Sequence, residues 1–462
     1  MERFDLLAGG LAVLACVASV GCGGGAAPPP ADLILRGGKI VTVDPGHPEA
    51  EALAARGGRI IAVGTNAEIE PLRGPATEVI ELGGRLVIPG FIEGHAHFVG
   101  LGRALLIVDL RGARSWDETV DLVAQAAALA EPGAWIWGRG WHQEKWDAPP
   151  AQAVEGYPTH EQLSRAVPDH PVVLVHASGH ASLVNARAME LASIGADTAD
   201  PAGGEILRDA TGRPTGLLRE TAEGLVEPAL AEAEARMSLA SREALARREI
   251  EQASRECLRK GVTSFQDAGS SFETIARLRQ AAEEGSLGPR LWIMINEDNE
   301  AIARSGDAYP FVGAAGDMLT VRAIKRVLDG ALGSHGAWLL EPYTDLPEKV
   351  GLNTIPVAEL EATARLALDR GLQLCVHAIG DRANHETLDV FAAAFARDAA
   401  GGRKLRWRIE HAQHLDPADI PRFAELGVIA SMQAVHCTSD GPWVPERLGR
   451  RGPRRAPTSG AR

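Results

Sequence analysis

The hydrophobic pattern divides the chain into two kinds of segment. Near the N-terminus, three short apolar stretches each carry a glycine pair, at Gly37–Gly38, Gly57–Gly58 and Gly83–Gly84. Adjacent glycines provide the positive φ angles that tight hairpins need, so we expect three turns of a small β-unit. After Pro89–Gly90, apolar strands alternate with amphipathic helices, which is typical of a parallel sheet with crossover helices.

The alternating region contains two long predicted helices, at 115–130 and 237–261. Seven predicted strands follow the apolar runs at 171–180, 261–269, 290–297, 320–330, 372–381, 406–415 and 427–436. Several of these strands end in a residue that can bind a ligand. In an eight-stranded α/β barrel the chemistry lies at the carboxyl ends of the strands.

The segment "VIPGFIEGHAHFVG" places His95 and His97 one residue apart after an apolar run. In an extended strand these two side chains project from the same face. Two neutral imidazoles aimed at one point suit a divalent transition metal, although such a pair also arises by chance. Further polar residues at strand ends, namely Asp267, Lys325, His377 and His411, strengthen the prediction of a metal site.

Composition excludes several classes of protein. The 462 residues are 45% hydrophobic and 23% charged, which is ordinary globular usage. The formal charge of −14 disfavours binding to nucleic acid or to an anionic membrane surface. Cys257, Cys375 and Cys437 are odd in number and widely spaced, so they indicate neither a disulfide framework nor a cysteine zinc site.

Residues 1–30 are typical of an export signal followed by a Gly/Pro-rich linker. "SVGC" resembles a bacterial lipobox with Cys22 as the lipidated residue, and Cys16 is a second candidate. The region carries only Arg3 as a basic side chain, so a disordered leader or a misassigned start stays open. We expect an exported, periplasmic or membrane-anchored lipoprotein, with a cytoplasmic protein as the alternative. A lipid at Cys22 would be its only link to a membrane.

Eight segments carry a specific resemblance: "PGFIEGHAH", "GRGWHQEKW", "HASGHASLVNARAM", "GLLRE", "GVTSFQDAG", "KRVLDGALGSHGAWLLEPY", "CVHAIGDRANHETLDVF" and "RIEHAQHL". In this order they resemble the amidohydrolase superfamily, within it the amidohydrolase-3 group that includes YtcJ-like proteins and N-substituted formamide deformylase. The resemblance implies an α/β fold, a (β/α)8 TIM-type barrel with a small N-terminal β-sandwich subdomain.

The resemblance also implies a centre of one or two divalent metal ions, most often zinc. Its ligands would be His95, His97, Lys325, His377 and His411, with the last three also catalytic. Lys325 would become a ligand through carbamylation by CO2, and the alternative is an ordinary strand-end lysine paired with Asp329 or Glu410.

A small amide-type substrate is the expected partner, and the sequence leaves the oligomeric state open. The residues predicted to bind it lie in segments that line the pocket in the resembled group. They are Trp141, His142, His180, Glu220 and Asp329. Trp137, Trp141 and Trp146 form either an apolar wall of that pocket or a buried structural cluster.

The C-terminal end departs from the resembled pattern. The group continues after strand 7 with a "GSDxP"-like segment on strand 8, whose Asp is the proton shuttle, whereas this chain has "RRGPRRAPTSGAR". We expect a frameshift or premature stop, a barrel without strand 8, and four parts: leader 1–30, sandwich 31–88, incomplete barrel 89–436 and aberrant tail 437–462. Asp440 would not replace the missing base.

The predicted function is a metal-dependent hydrolase of carbon–nitrogen bonds other than peptide bonds, which uses metal-activated water. The alternative is an inactive fragment or a metal- or ligand-binding remnant. Phosphotriesterase-like or D-aminoacylase-like activity is a further alternative within the enzyme class. The departure at the C-terminus predicts poor folding and little activity for these 462 residues, and hydrolysis of N-acyl or N-formyl compounds by a frame-corrected form.

Overall fold

A computed structural model describes residues 29–177, 181–201, 204–333, 336–441 and 444–449. Most of the predicted leader, with Cys16 and Cys22, lies outside the described residues, as do His180 and the basic residues from 450 onward. The chain separates into two compact units, Met1–Pro89 and Gly90–Arg462.

The N-terminal unit is a five-stranded sheet with the order β3-β2-β1-β4, in which β5 also pairs with β1. β2 runs antiparallel to β1 and β3, whereas β4 and β5 run parallel to β1. Its elements are β1 (Leu33–Val41), β2 (Glu49–Arg56), β3 (Arg59–Gly64), α1 (Asn66–Ile69), β4 (Glu78–Glu81) and β5 (Leu86–Val87).

The predicted hairpin turns are correct at only one of the three glycine pairs. Gly57–Gly58 joins the antiparallel strands β2 and β3. Gly83–Gly84 is a turn, but it connects two strands that both run parallel to β1. Gly37–Gly38 lies inside β1 at a register irregularity, and a Cβ at Gly38 would approach the carbonyl oxygen of Arg85 to 2.5 Å. The pair therefore lets the backbone at Arg85 approach β1 closely and does not form a turn.

The second unit begins with β6 (Phe91–Ala96) and α2 (Phe98–Ala104) and then departs into an insert that the sequence did not predict as a separate sheet. Six strands of the insert form a sheet with the order β13-β14-β12-β11-β8-β7, and β9 pairs with β10. The elements are β7 (Val108–Asp109), α3 (Trp116–Leu129), β8 (Ile136–Trp141), β9 (Ala153–Val154), β10 (Tyr157–Pro158), α4 (Glu161–Ala166), β11 (Val172–His176), β12 (Ala181–Val184), α5 (Ala186–Leu191), β13 (Gly204–Arg208), β14 (Pro214–Glu220) and α6 (Glu227–Arg236).

The chain then builds the main sheet, whose parallel strands follow the order β21-β20-β19-β18-β16-β15-β6. The short strand β17 adds to β18 in the antiparallel direction. The elements are α7 (Leu239–Arg259), β15 (Val262–Ser270), α8 (Phe272–Glu283), β16 (Arg290–Ile295), α9 (Asn299–Arg304), β17 (Phe311–Gly313), α10 (Ala314–Asp317), β18 (Leu319–Val327), α11 (Val357–Arg370), β19 (Gln373–Ala378), α12 (Asp381–Phe395), α13 (Ala399–Leu405), β20 (Arg408–His411), α14 (Ile420–Leu426), β21 (Ile429–Ser431), α15 (Val435–Ser439) and α16 (Val444–Leu448).

The main sheet curls into a nearly closed barrel. Side chains of β6 and β20 meet across its interior, where His95 Nδ1 lies 2.6 Å from a carboxylate oxygen of Glu410. Within the described residues, no strand joins β21 to β6, and Phe91 and Ile92 at the β6 edge are 57% and 68% exposed. The predicted fold class, a TIM-type barrel with an N-terminal sheet subdomain, is confirmed.

Local signals explain where the two long helices begin and which face they bury. Ser115 and Ser238 cap α3 and α7 because each side chain accepts a hydrogen bond from a backbone N–H in the first turn. The buried residues of α3 recur every three to four positions, at Trp116, Thr119, Val120, Val123 and Ala127. Both predicted helices are therefore confirmed. Among the described residues, we find no helix with the length and apolarity needed to cross a membrane.

Candidate metal centre at the carboxyl ends of the barrel strands

Five strands bring the predicted site residues to one end of the barrel. His95 lies on β6, Lys325 on β18, His377 on β19 and His411 on β20. The register places Val327 beside His377 and Ala378 beside His411, so the strands reach the same height. Asp267 on β15 is paired with Ala96 in the same way. Parallel strands therefore convert widely separated sequence positions into one cluster.

Three imidazole rings contact each other at this end. The ring centroids of His95 and His411 are 4.7 Å apart, and those of His377 and His411 are 4.5 Å apart. The His95 and His97 centroids are 6.1 Å apart. His411 has a φ of 73°, in the left-handed region that non-glycine residues rarely adopt. This backbone turn redirects the ring, because strict alternation would send His411 to the face opposite Glu410.

Two imidazoles of this cluster, His377 and His411, are neutral at physiological pH. Burial, together with the nearby charge of Lys325, lowers the pKa of His377 to about 2 and that of His411 to about 3. Burial also lowers the pKa of His97, and the nearby Asp267 opposes that shift. A neutral imidazole keeps one ring nitrogen with a free lone pair, which is the form that ligates metals.

One ring nitrogen in the cluster lacks a partner. His377 Nε2 is buried without a hydrogen bond, and the nearest acidic oxygen, Asp329 Oδ1, is 3.6 Å away. A buried polar atom without a partner is costly, and a bound ion is one explanation. In the described part of the chain, no group of three or more His, Cys, Asp or Glu side chains stands ready-made to hold a metal. The donors fit a metal by their chemistry, and the rings would have to rotate to bind it.

Lys325 is buried beneath the histidines. Burial lowers the pKa of its ammonium, and the charge of Glu410 opposes that shift. Among the described residues Lys325 forms no ion pair within 4.0 Å, so the predicted alternative of a lysine paired with Asp329 or Glu410 is not what the structure contains.

A buried carboxylate and guanidinium support His95. Glu410 is fully buried, and its Oε2 lies 2.6 Å from His95 Nδ1. Arg408 Nε donates to the other carboxylate oxygen of Glu410. Burial alone would raise the pKa of Glu410, but the hydrogen bond to His95 and the charge of Arg408 outweigh it and hold the value at about 2. Arg408 was not predicted as a site residue, although the i, i+2 spacing of Arg408 and Glu410 on a strand indicates that they share a face.

His411 has polar neighbours of its own. Its Nδ1 lies 2.5 Å from Gln433 Oε1 and 3.3 Å from His436 Nε2. His436 Nδ1 lies 3.3 Å from Asp440 Oδ2. Gln433 and His436 were not predicted as site residues, because the apolar pattern extends strand 7 to residue 436. The strand ends at Ser431, and the following turn and α15 place both side chains beside His411.

The predicted substrate-binding residues Trp141 and His142 lie in the insert. Trp141 is fully buried, and its Nε1 donates a hydrogen bond of 2.8 Å to the carbonyl oxygen of Leu174. Its ring stacks with Trp146 at 5.9 Å. The Trp141 ring therefore belongs to the core of the insert, and its role in substrate binding stays a prediction. The His142 ring lies 4.5 Å from that of His176.

Two other predicted substrate-binding positions stay untested, since His180 lies outside the described residues and only the backbone of Glu220, in β14, is described. Asp329 is fully buried, and its carboxylate accepts hydrogen bonds from the backbone N–H groups of Trp338, Ile379 and Gly380. Its oxygens organise the loops after β18 and β19, and its role in substrate binding stays a prediction. Asp267 has a similar role, accepting from the Phe98 N–H and the Ser270 hydroxyl.

Comparisons with known proteins agree with this architecture. The sequence profile of the Amidohydrolase family, Amidohydro_3, matches residues 78–461. Protein LONG AFTER FAR-RED 3 of Arabidopsis thaliana is 33% identical over 433 residues, covering 91% of this chain and 70% of that protein. YtcJ of Bacillus subtilis (strain 168) is 30% identical, covering 90% and 75%. N-substituted formamide deformylase of Arthrobacter pascens is 28% identical, covering 86% and 72%.

A solved structure shares the fold. The crystal structure of an uncharacterized metal-dependent hydrolase from Pyrococcus horikoshii OT3 superposes with a TM-score of 0.70 at 25% sequence identity. The superposition covers 90% of this chain and 77% of that one.

Proposed function

Since the chain belongs to the amidohydrolase family, we propose that it cleaves carbon–nitrogen bonds other than peptide bonds in small amide or N-formyl compounds. Family membership supports the general assignment of a hydrolase. The solved structure with a similar fold is that of a metal-dependent hydrolase. The bond type and the substrate class are the proposal.

The observation that carries the proposal is the cluster of three imidazoles from β6, β19 and β20. Their rings lie 4.5 and 4.7 Å apart, and His377 Nε2 is buried without a hydrogen bond. Charged side chains would repel one another at these distances, but burial keeps His377 and His411 neutral. Neutral, converging nitrogen donors at the chemically active end of a barrel suit a divalent transition metal.

The residues that would hold the metal are His95, His97, His377 and His411, with Lys325 as a further ligand after carbamylation. A divalent metal bound there would supply Lewis-acid chemistry, polarising a carbonyl oxygen and activating water at neutral pH. In the carbamylation step the Lys325 amine nitrogen bonds to the carbon of CO2 and releases one proton. The product carries a carboxylate, whose oxygens can bind a metal ion. The unmodified Lys325 ammonium is a cation and therefore a poor metal ligand.

The surrounding residues hold the ligands in place. Glu410 orients His95, Gln433 contacts His411, and Asp267 accepts a hydrogen bond from the N–H that directly follows His97. Placing the donors on the ends of rigid strands limits their drift, and drift of ~1 Å can cost about 10²-fold in rate. The choice of an amide or N-formyl substrate is supported by the likeness to N-substituted formamide deformylase.

The test is an assay of purified protein on a panel of N-substituted formamides and N-acyl amines with added Zn²⁺, Mn²⁺ or Co²⁺. The proposal predicts turnover that a chelator abolishes and that metal restores, whereas the departure at the C-terminus predicts little activity, so the assay also decides between these two expectations. The double variant His377→Ala/His411→Ala should be inactive, whereas Glu232→Gln, in an exposed ion pair on α6, should match the wild type. Turnover that survives chelation in a metal-free preparation would refute the metal-dependent mechanism.

A second candidate function is metal or ligand binding without hydrolysis. The carboxylates nearest the three rings, Asp267, Asp329 and Glu410, are buried and already hydrogen-bonded, so proton transfer to a leaving amine would need another group. Stoichiometric metal binding with no turnover on the whole panel would favour this function over the first.

For the cellular location we propose export with a lipid on Cys22, which rests on the "SVGC" segment. Intact-mass measurement of the native protein tests it. A chain that retains Met1 in the soluble cytosolic fraction would contradict the proposal.

A further inference from the structure

The interior of the barrel contains a polar chain that links β20 to three other strands. Arg408 Nε donates to Glu410 Oε1, and Glu410 Oε2 lies 2.6 Å from His95 Nδ1. Each carboxylate oxygen therefore has its own partner. The three side chains are almost completely buried, with exposures of 9% for Arg408, 0% for Glu410 and 7% for His95.

Arg408 is itself anchored on several sides. One terminal nitrogen donates to Gln266 Oε1 on β15, and the other lies 3.5 Å from the carbonyl oxygen of Gly94 on β6. The guanidinium carbon lies 5.1 Å from the ring centroid of Trp292 on β16. A planar guanidinium with contacts in several directions has little freedom, so it fixes the carboxylate that it holds.

The contact with Glu410 determines which ring nitrogen of His95 carries the proton. A carboxylate paired with a guanidinium only accepts hydrogen bonds, so the form of His95 that could bind a metal must carry its proton on Nδ1. The lone pair then lies on Nε2. Partners of this kind fix the tautomer and the orientation of metal-binding histidines in other proteins.

His95 needs this support because of its place in the sheet. In the described part of the chain, β6 has the neighbour β15 on one side and no strand on the other. The exposed Phe91 and Ile92 mark the open side. A strand with ladder hydrogen bonds on one side is less constrained than an interior strand, and the contact from β20 supplies a second point of attachment.

We propose that Glu410 is a positioning residue, held by Arg408, that fixes the tautomer and the direction of His95 and thereby sets the affinity of the site for a divalent metal. The proposal rests on the proposed function, since it takes His95 as a ligand. It predicts that metal binding depends on two residues that are not themselves ligands.

The experiment measures Co²⁺ and Zn²⁺ affinity by equilibrium dialysis with elemental analysis, and follows the visible absorption of bound Co²⁺. The variants are Glu410→Ala, Glu410→Gln, Arg408→Met and Arg408→Lys, with Glu232→Gln as the control for loss of an ion pair. We expect about 10–100-fold weaker binding for Glu410→Ala and Arg408→Met, with an altered Co²⁺ spectrum. Glu410→Gln and Arg408→Lys should recover part of the loss, because each keeps one of the required hydrogen bonds.

A second readout is independent of metal. Imidazole ¹⁵N shifts of the metal-free protein should show His95 protonated at Nδ1 in the wild type and a tautomer mixture in Glu410→Ala. Circular dichroism and urea unfolding identify variants that fail to fold, in which case the near-isosteric Glu410→Gln decides. A wild type that binds no metal would overturn the proposed function. A wild type that binds metal, with all four variants binding equally well, would overturn the positioning role alone.

Discussion

The second unit contains two clusters of neighbouring histidines, and the surroundings of the two clusters differ. At the barrel end, His95, His377 and His411 come from three strands, and Glu410 contacts His95 while Gln433 contacts His411. In the insert, His142 and His176 lie 4.5 Å apart beside Trp141, whose ring is 4.8 Å from His176. Both clusters stand at the carboxyl ends of parallel strands, the first in the barrel and the second at the ends of β8 and β11, where it borders an aromatic core.

The difference shows that the groups that surround a histidine determine its role more than its distance from another histidine does. The barrel rings have Glu410 and Gln433 on Nδ1, an arrangement that leaves Nε2 for a ligand. The insert pair packs against large aromatic rings that stabilise the fold by burial. We therefore expect changes at the barrel to affect metal binding and changes in the insert to affect stability.

The largest expected effect comes from removing two imidazoles at the barrel end. His377→Ala/His411→Ala should lower bound metal to below ~0.2 equivalents and turnover by about 10³-fold or more, because a site with two fewer donors cannot hold the ion that supplies several kcal/mol of barrier lowering. Elemental analysis and initial rates measure both. The matched variant His142→Ala/His176→Ala should retain the metal. Equal loss of metal in both variants would contradict the claim that the barrel histidines bind the metal and the insert histidines do not.

The next effect concerns the aromatic core of the insert. Trp141→Ala should destabilise the second unit by about 3–5 kcal/mol, because it leaves a large cavity and removes the hydrogen bond to Leu174. Urea unfolding followed by circular dichroism measures the change, and metal per folded molecule should stay at the wild-type value. Leu129→Ala, at a position 90% exposed, is the control and should change stability by less than about 0.5 kcal/mol. A metal-binding defect in folded Trp141→Ala would contradict the separation of roles.

A smaller effect compares two glutamines that each contact a histidine. Gln433 lies 2.5 Å from His411 Nδ1, and Gln143 lies 3.2 Å from His176 Nε2. Gln433→Ala should weaken metal binding by about tenfold, because His411 loses the partner that orients its ring. Gln143→Ala should leave metal affinity unchanged. Isothermal titration with Zn²⁺ measures both, and equal affinities for the two variants would remove the predicted role of Gln433.

The smallest effect compares Arg219 with Arg408, two of the arginines that lie over aromatic rings. Arg219 lies 5.0 Å from the Tyr157 ring centroid and pairs with Glu155 and Glu205 near the surface. Arg219→Met should cost about 0.5–1 kcal/mol of stability, since exposed ion pairs and cation–π contacts are weak. Metal affinity should not change, in contrast to Arg408→Met. Urea unfolding together with metal dialysis tests the pair, and a metal defect in Arg219→Met would show that the insert affects the site.

Much of the barrel could be predicted from the chain because its signals are local. Apolar runs marked the strands, and amphipathic periodicity marked α3 and α7, which the structure shows to begin at serine caps. The polar residue at the end of each strand predicted which side chains would meet, since parallel strands share one carboxyl edge. The insert sheet was missed for the same reason, because the pattern of its strand β11 resembles that of a barrel strand although it pairs with other partners.

By itself, the sequence determined the order of strands and helices and the placement of His95, Lys325, His377 and His411 at strand ends, because these depend on local periodicity. Tertiary structure alone decided that Arg408 and Glu410 face His95, since they lie more than 300 positions away along the chain. It also turned His411 inward through a left-handed backbone, made Trp141 a core residue, and placed Gly37–Gly38 inside a strand. Each of these depends on which surfaces pack together, and a linear pattern does not contain that information.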